Sequence, residues 1–199
     1  MDTIVSNAIT FFLISNPIGN SPLVLAMVKR FPFEKQKHIL LREGIFSLIV
    51  ALFFQYLGAV FMQALHLDPF TVSLCGGFVL FVTALRMIFN KDEGLEKEEA
   101  SLQEPYFVPI AIPLLSGPGL LSIIMIKSQA VNNSLYVSAS VILAFIGVIG
   151  IMIAAPYLKK LLGERGLAAL EQFMGMILGL ISMGMLVRGA SLFYQTLGA

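Results

Sequence analysis

Long uncharged apolar runs alternate along the chain with short charged stretches. Six runs are long enough to cross a bilayer: residues 3–28, 44–65, 69–89, 105–126, 135–158 and 172–195. A hydrocarbon core about 30 Å thick is crossed by ~20 helical residues, and lipid leaves no solvent for unpaired backbone groups, so each run predicts a transmembrane helix. The third and sixth runs are each interrupted by one arginine, Arg86 and Arg188, and the other four carry no charge. The first run follows Met1-Asp2 without the positive flank or the small-residue cleavage site of a signal peptide, so it is read as the first span. The expectation is an all-α integral membrane protein, a single membrane domain over 1–199.

Charge sets the orientation. The loops after the first, third and fifth runs hold Lys29, Arg30, Lys35, Lys37, Arg42, Lys91, Lys97, Lys159, Lys160 and Arg165, whereas the opposite side has Lys127 alone. Short loops rich in Lys and Arg stay in the cytoplasm, which places both termini outside. The acidic cluster Asp92, Glu93, Glu96, Glu98, Glu99 and Glu104 has no EF-hand spacing and reads as a solvated linker, about 91–104, between a first repeat (about 1–90) and a second (about 105–199).

The two halves echo one another. The first span contains Ser15-Asn16-Pro17-Ile18-Gly19-Asn20-Ser21-Pro22, and the fourth contains Pro113-Leu114-Leu115-Ser116-Gly117-Pro118-Gly119. Gly77 and Arg86 in the third span are matched, 102 positions later, by Gly179 and Arg188 in the sixth. Three spans per half is an odd number, so the second copy enters the membrane in the opposite direction: six helices form two inverted three-helix repeats, with the first and fourth helices broken. Proline in mid-membrane removes an amide and frees carbonyls that hydrocarbon cannot satisfy. Taken singly, each break reads as a structural kink. As a matched pair, Asn16, Pro17, Gly19, Asn20 and Ser21 with Ser116, Gly117, Pro118 and Gly119 form a candidate site for a small polar solute, expected to line one water-accessible midplane cavity.

Arg86 and Arg188 fall near opposite ends of their spans, where they either snorkel to headgroups or act as a gate or anion contact. Glu43 and Glu171 stand only at span entrances, so no carboxylate relay deep in the membrane is evident. Gly175-Met176-Ile177-Leu178-Gly179 is a GxxxG pattern that serves helix packing within one chain or in a homo-oligomer. Gln55, Gln63, Thr83 and Gln129 read as interhelical or interfacial polar groups. Composition agrees with the span count: 57% of residues are hydrophobic and 13% charged, beyond what a soluble core uses. The net charge of +1 comes with no basic tail for nucleic acid. Cys75, the single cysteine, excludes an intramolecular disulfide and is expected to pack. His38 and His66 fall on opposite faces and cannot share a metal; no cofactor is implied.

Asn16-Pro17-Ile18-Gly19-Asn20, the run from Val108 to Gly119, and Gly163-Glu164-Arg165-Gly166 followed by the run from Ala169 to Gly175 together resemble the MarC family of bacterial inner-membrane proteins. The resemblance covers essentially the whole chain. It implies a six-span protein of the bacterial inner membrane, whose termini the loop charges then place in the periplasm, related to the lysine-exporter superfamily, whose members export amino acids and related small solutes. On this reading the chain is a secondary transporter, an exporter working by alternating access, whose partners are the lipid bilayer and a small polar solute. A channel or passive facilitator would use the same broken helices as a constriction. A non-transporting scaffold would use them for packing alone. An intramembrane enzyme is disfavoured, since the chain has neither HExxH nor GxSxG.

Overall fold

The computed structural model describes residues 4–29, 31–89, 110–130 and 134–197. The acidic linker and the Val108-Pro109 part of the fourth-span motif lie outside the described residues. Among the described residues all regular structure is helical: α1 (Ile4–Ser15), α2 (Ser21–Val28), α3 (Phe33–Ala64), α4 (Pro69–Phe89), a π-helical turn (Ile110–Leu115), α5 (Pro118–Ala130), α6 (Ser134–Leu158) and α7 (Arg165–Thr196). Four of these, α3, α4, α6 and α7, are long and apolar enough to cross a membrane. The other two apolar runs are the interrupted ones, α1 with α2 and the π turn with α5.

Helix α4 coincides with the third apolar run. Helix α3 starts well before the second run, at Phe33 behind Pro32, because residues 33–43 are mostly good helix formers and the Glu34–Lys37 pair (2.8 Å) supports its first turn. Helix α3 ends where His66 adopts a left-handed conformation (φ 52°). Helices α6 and α7 run on from one another across a kink at Gly163, whose φ of 65° and ψ of −178° belong to a region that essentially only glycine enters.

The bundle is apolar on its outside as well as its inside. On α3, Glu43, Gly44, Ser47, Ala51, Gln55, Gly58 and Met62 are buried, at steps of one, three and four residues along one face, while Ile49, Phe53, Tyr56 and Val60 are exposed. Small and polar groups therefore face the protein and bulky hydrophobics face outward, the reverse of a soluble helix. Helices meet at glycines: Gly44 against Ile149 of α6, Gly58 against Met125 of α5, Gly147 of α6 against Phe12 of α1. Gln55 Nε2 donates to Ser138 Oγ (2.8 Å) and to the Ser134 carbonyl (3.0 Å), fastening α3 to α6. Gln129 Nε2 lies 3.0 Å from Met62 Sδ, whereas Thr83 donates within its own helix, to the Val79 carbonyl.

Helices α4 and α7 pack antiparallel along their lengths. Leu74 meets Gly189, Gly77 meets Leu186, Ala84 meets Gly179 and Met87 meets Gly175. Ser73 Oγ donates to the Met185 carbonyl at 2.9 Å across the same seam. Cys75 does not pack there as expected; the α4 face that carries it is exposed.

Candidate functional site

Helix α1 ends at Asn16, which takes the left-handed conformation (φ 50°), a region asparagine tolerates better than most residues. The turn over residues 17–20 is closed by the Asn20 amide on the Asn16 carbonyl (3.0 Å), and α2 then starts with Pro22 in its first turn, where a missing amide does no harm. The Gly19 amide donates to Asn16 Oδ1 (3.3 Å), so it no longer serves the Ser15 carbonyl four residues back. Ser21 Oγ donates to the Pro17 carbonyl at 2.7 Å.

The second break is built differently up to its proline and alike after it. Residues 110–115 form a π turn, with the Ser116 amide on the Ala111 carbonyl (3.0 Å). Helix α5 starts at Pro118, which has no amide to offer the Leu114 carbonyl. Ser122 Oγ donates to the Pro118 carbonyl at 2.7 Å, repeating the bond between Ser21 and Pro17.

Carbonyls at the two breaks are taken up by side chains of the first break and of α3. Asn20 Nδ2 donates to the Ser15 carbonyl (3.1 Å) and across to the Leu114 carbonyl (3.3 Å). Ser15 Oγ donates to the Leu115 carbonyl (3.0 Å). From α3, Ser47 Oγ donates to the Ala111 carbonyl (3.1 Å), and Ser116 Oγ returns a bond to the Ser47 carbonyl (2.8 Å). Asn16 Nδ2 points at Met87 Sδ (3.1 Å). Gly19 and Gly119 are both buried, and a Cβ on either would collide, with Met87 and with Leu80 of α4 respectively.

The two motifs thus converge, as the sequence pattern requires, but the expected open cavity is closed. Asn16, Asn20, Ser21 and Ser116 are each buried, and each has a protein atom as its hydrogen-bond partner. Gly117 is half-buried and Pro118 exposed. Arg86 and Arg188 lie outside the cluster on exposed parts of α4 and α7, and no hydrogen bond or ion pair among the described residues joins them to it. The cluster also contains residues that the motif reading passed over. Ser15 and Ser47 are buried donors, and one helical turn before Ser47 stands Glu43, wholly buried. Glu43 Oε1 receives Arg42 Nε (3.1 Å) and Nη2 (3.0 Å), while Oε2 is buried with no partner. The inward stripe of small and polar residues on α3 was the available signal for both Ser47 and Glu43.

A family model described as "MarC family integral membrane protein" matches residues 1–194. The chain belongs to the MarC family. Among its relatives, a "UPF0056 membrane protein" of Buchnera aphidicola subsp. Schizaphis graminum is 36% identical over 98% of this chain and 100% of its own length. The "UPF0056 inner membrane protein YhgN" of Escherichia coli K12 is 34% identical over 95% of this chain and 96% of its own. A Chlamydia pneumoniae UPF0056 membrane protein is 26% identical over 94% of each. No solved structure gives a significant match. Family membership and the four membrane-length helices together make this MarC-family chain a multi-pass membrane protein.

Proposed function

We propose that this MarC-family protein is a secondary transporter of the bacterial inner membrane that moves a small polar solute, such as an amino acid or related metabolite, by alternating access. Its solute site is the junction of the two breaks. The observation that carries the reading is the capture of second-break carbonyls by side chains of the first break, Asn20 to Leu114 and Ser15 to Leu115. Broken helices that meet at mid-membrane present the amides of half-helix N-termini and unwound carbonyls, a combination suited to a zwitterionic or hydrogen-bonding solute. The buried cluster is then an occluded state, in which protein groups occupy bonding positions that a solute would take. That closure favours a carrier over a pore, which keeps a wet path between its constrictions.

Two inverted three-helix repeats provide the means of alternation. A separation of 102 carries Gly77 to Gly179 and Ala84 to Leu186, so the contact of Gly77 with Leu186 and that of Gly179 with Ala84 exchange under one twofold operation. The matched Ser21–Pro17 and Ser122–Pro118 bonds support the same operation. Both termini lie outside on the Lys/Arg asymmetry, and export is the direction that the family resemblance implies.

The test is solute counterflow into vesicles containing the purified full-length protein, using radiolabelled amino acids as the first panel. Saturable exchange, weakened by Ser116→Ala in protein that remains folded, is the expected result. Flux that never saturates identifies a channel, and intact exchange in Ser116→Ala removes the junction from the pathway.

A further inference from the structure

We propose that α3, α4, α6 and α7 form a frame that keeps one shape in both access states, and that the half-helices inside it are the moving parts, hinged at Asn16 and at Ser116-Gly117. The inference deepens the transporter reading and rests on it.

The frame is fastened by contacts that the repeat operation exchanges. At one end of the α3–α6 seam the Tyr157 ring meets Phe33 edge-on, with centroids 4.9 Å apart, and lies 5.5 Å from Lys37 Nζ. At the other end Gln55 Nε2 donates to the Ser134 carbonyl and to Ser138 Oγ, and the Tyr56 hydroxyl is bonded to the same Oγ at 2.7 Å. Gln55 and Tyr157 stand 102 positions apart, while Phe33 and Lys37 precede Ser134 and Ser138 by 101, the spacing of Ser21 and Ser122. The two clamps are therefore images of one another, one built from rings and a cation, the other from an amide and hydroxyls. The α4–α7 seam is likewise its own image, through the contacts of Gly77 with Leu186 and of Ala84 with Gly179.

Each seam joins a helix of the first repeat to a helix of the second. Inverted repeats alternate by exchanging conformations, so only what differs between them has to move. A seam that maps onto itself looks the same after the exchange. The breaks do not: the first is a turn with Asn16 in the left-handed region, the second a π turn. Rocking one whole repeat against the other would also part a clamp, and parting the Gln55 clamp strands an amide and hydroxyls in hydrocarbon.

The half-helices suit the moving role. Helices α1, α2 and α5 have 12, 8 and 13 residues, about 12–20 Å of rise against a hydrocarbon core of about 30 Å. Phe12 of α1 seats on Gly147 of α6, and Met125 of α5 on Gly58 of α3. Such apolar seats have no direction, and a half-helix leaving one exchanges protein contacts for lipid contacts of the same kind. Chain order assigns the sides. Helix α2 leads into the start of α3 and α5 into the start of α6, and the Phe33–Tyr157 clamp sets those two starts at opposite ends of the seam. The π turn and α2 therefore gate the junction from the side of the basic loops, and α1 and α5 gate it from the other.

The test uses the full-length protein in sealed vesicles, in a Cys75→Ala background with Ser116→Cys as reporter, labelled from each face by small membrane-impermeant thiol reagents. A Cβ at Gly44 would lie 3.6 Å from that of Ile149, one at Gly179 3.7 Å from that of Ala84, and one at Gly58 3.3 Å from that of Met125, all close to disulfide geometry. Gly44→Cys/Ile149→Cys and Ala84→Cys/Gly179→Cys, oxidised together, pin repeat to repeat in the half nearer the basic loops. Gly58→Cys/Met125→Cys pins α5 to the frame in the other half. The frame disulfides should leave the reporter's labelling unchanged from both faces, whereas the α5 disulfide should abolish labelling from the face opposite the basic loops and spare the basic face. If the doubly pinned protein fails to fold, each frame disulfide alone is read in the same way. Loss of basic-face labelling in frame-pinned protein overturns the proposal in favour of rocking repeats. Unchanged labelling in the α5-pinned protein overturns it too, as does failure of the frame cysteines to bridge in folded protein, which would deny the seams. A reporter inert from both faces before any disulfide is introduced removes the transport reading itself, and the gating with it.

Discussion

Asn20→Ala is the substitution that most sharply tests what joins the two breaks. Asn20 Nδ2 is the donor for two carbonyls, Ser15 and Leu114, that have lost their helical partners, one because Asn16 Oδ1 takes the Gly19 amide and the other because Pro118 has none. Side-chain hydrogen bonds inside membrane proteins contribute ~0.6–1.7 kcal/mol each, so losing both should destabilise the fold by about 1–3 kcal/mol. The Ala variant also leaves both carbonyls without a donor in a dry interior, which pushes the value to the upper part of that range. Asn20→Asp preserves the shape but aims acceptors at acceptors, and should cost at least as much as alanine. Reversible unfolding in detergent micelles with added SDS, followed by circular dichroism, measures both. An alanine variant within about 0.5 kcal/mol of wild type, the range of an uninvolved surface position, would refute the reasoning. So would an aspartate variant as stable as wild type.

Two further substitutions use the same unfolding assay. Gly119→Ala puts a methyl group into Leu80 and should cost about 1–3 kcal/mol, with part of the loss recovered in the Gly119→Ala/Leu80→Ala double variant; additive losses would contradict the contact. Gly163→Ala should cost about 1–3 kcal/mol through backbone strain alone, because no atom lies within 4 Å of the new Cβ, whereas Gly150→Ala, equally uncrowded but in regular helix, should be neutral or stabilising by up to about 1 kcal/mol.

Much of this arrangement was legible in the sequence because hydropathy and helix breakers act locally. The run 69–89 is α4 to the residue, and the Pro/Gly clusters mark real interruptions at Asn16 and Ser116. What hydropathy hides is depth. The charged residues 33–43 set the apparent entrance of the second span, so Glu43 looked like a boundary group, yet α3 continues through it and its side chain is wholly buried. Ser47 was invisible as a site residue for a related reason: a lone serine in an apolar run gains meaning only from the carbonyls of Ala111 and the hydroxyl of Ser116, both distant in sequence. Whether the junction is open or closed depends on those long-range bonds and not on any local motif.

The central claim, that the two breaks form one site opening to either side of the membrane, is tested most directly by two-sided thiol labelling. Single cysteines at Asn16, Ser21 and Ser116 in a Cys75→Ala background are exposed to small membrane-impermeant reagents applied from each face of sealed vesicles. The account predicts that all three react slowly, from both faces, at rates far below those of loop controls, because the closed state buries them and each open state reveals them. Complete inertness of all three in folded protein while the controls label would contradict it, and the breaks would then be kinks held together by their own hydrogen bonds.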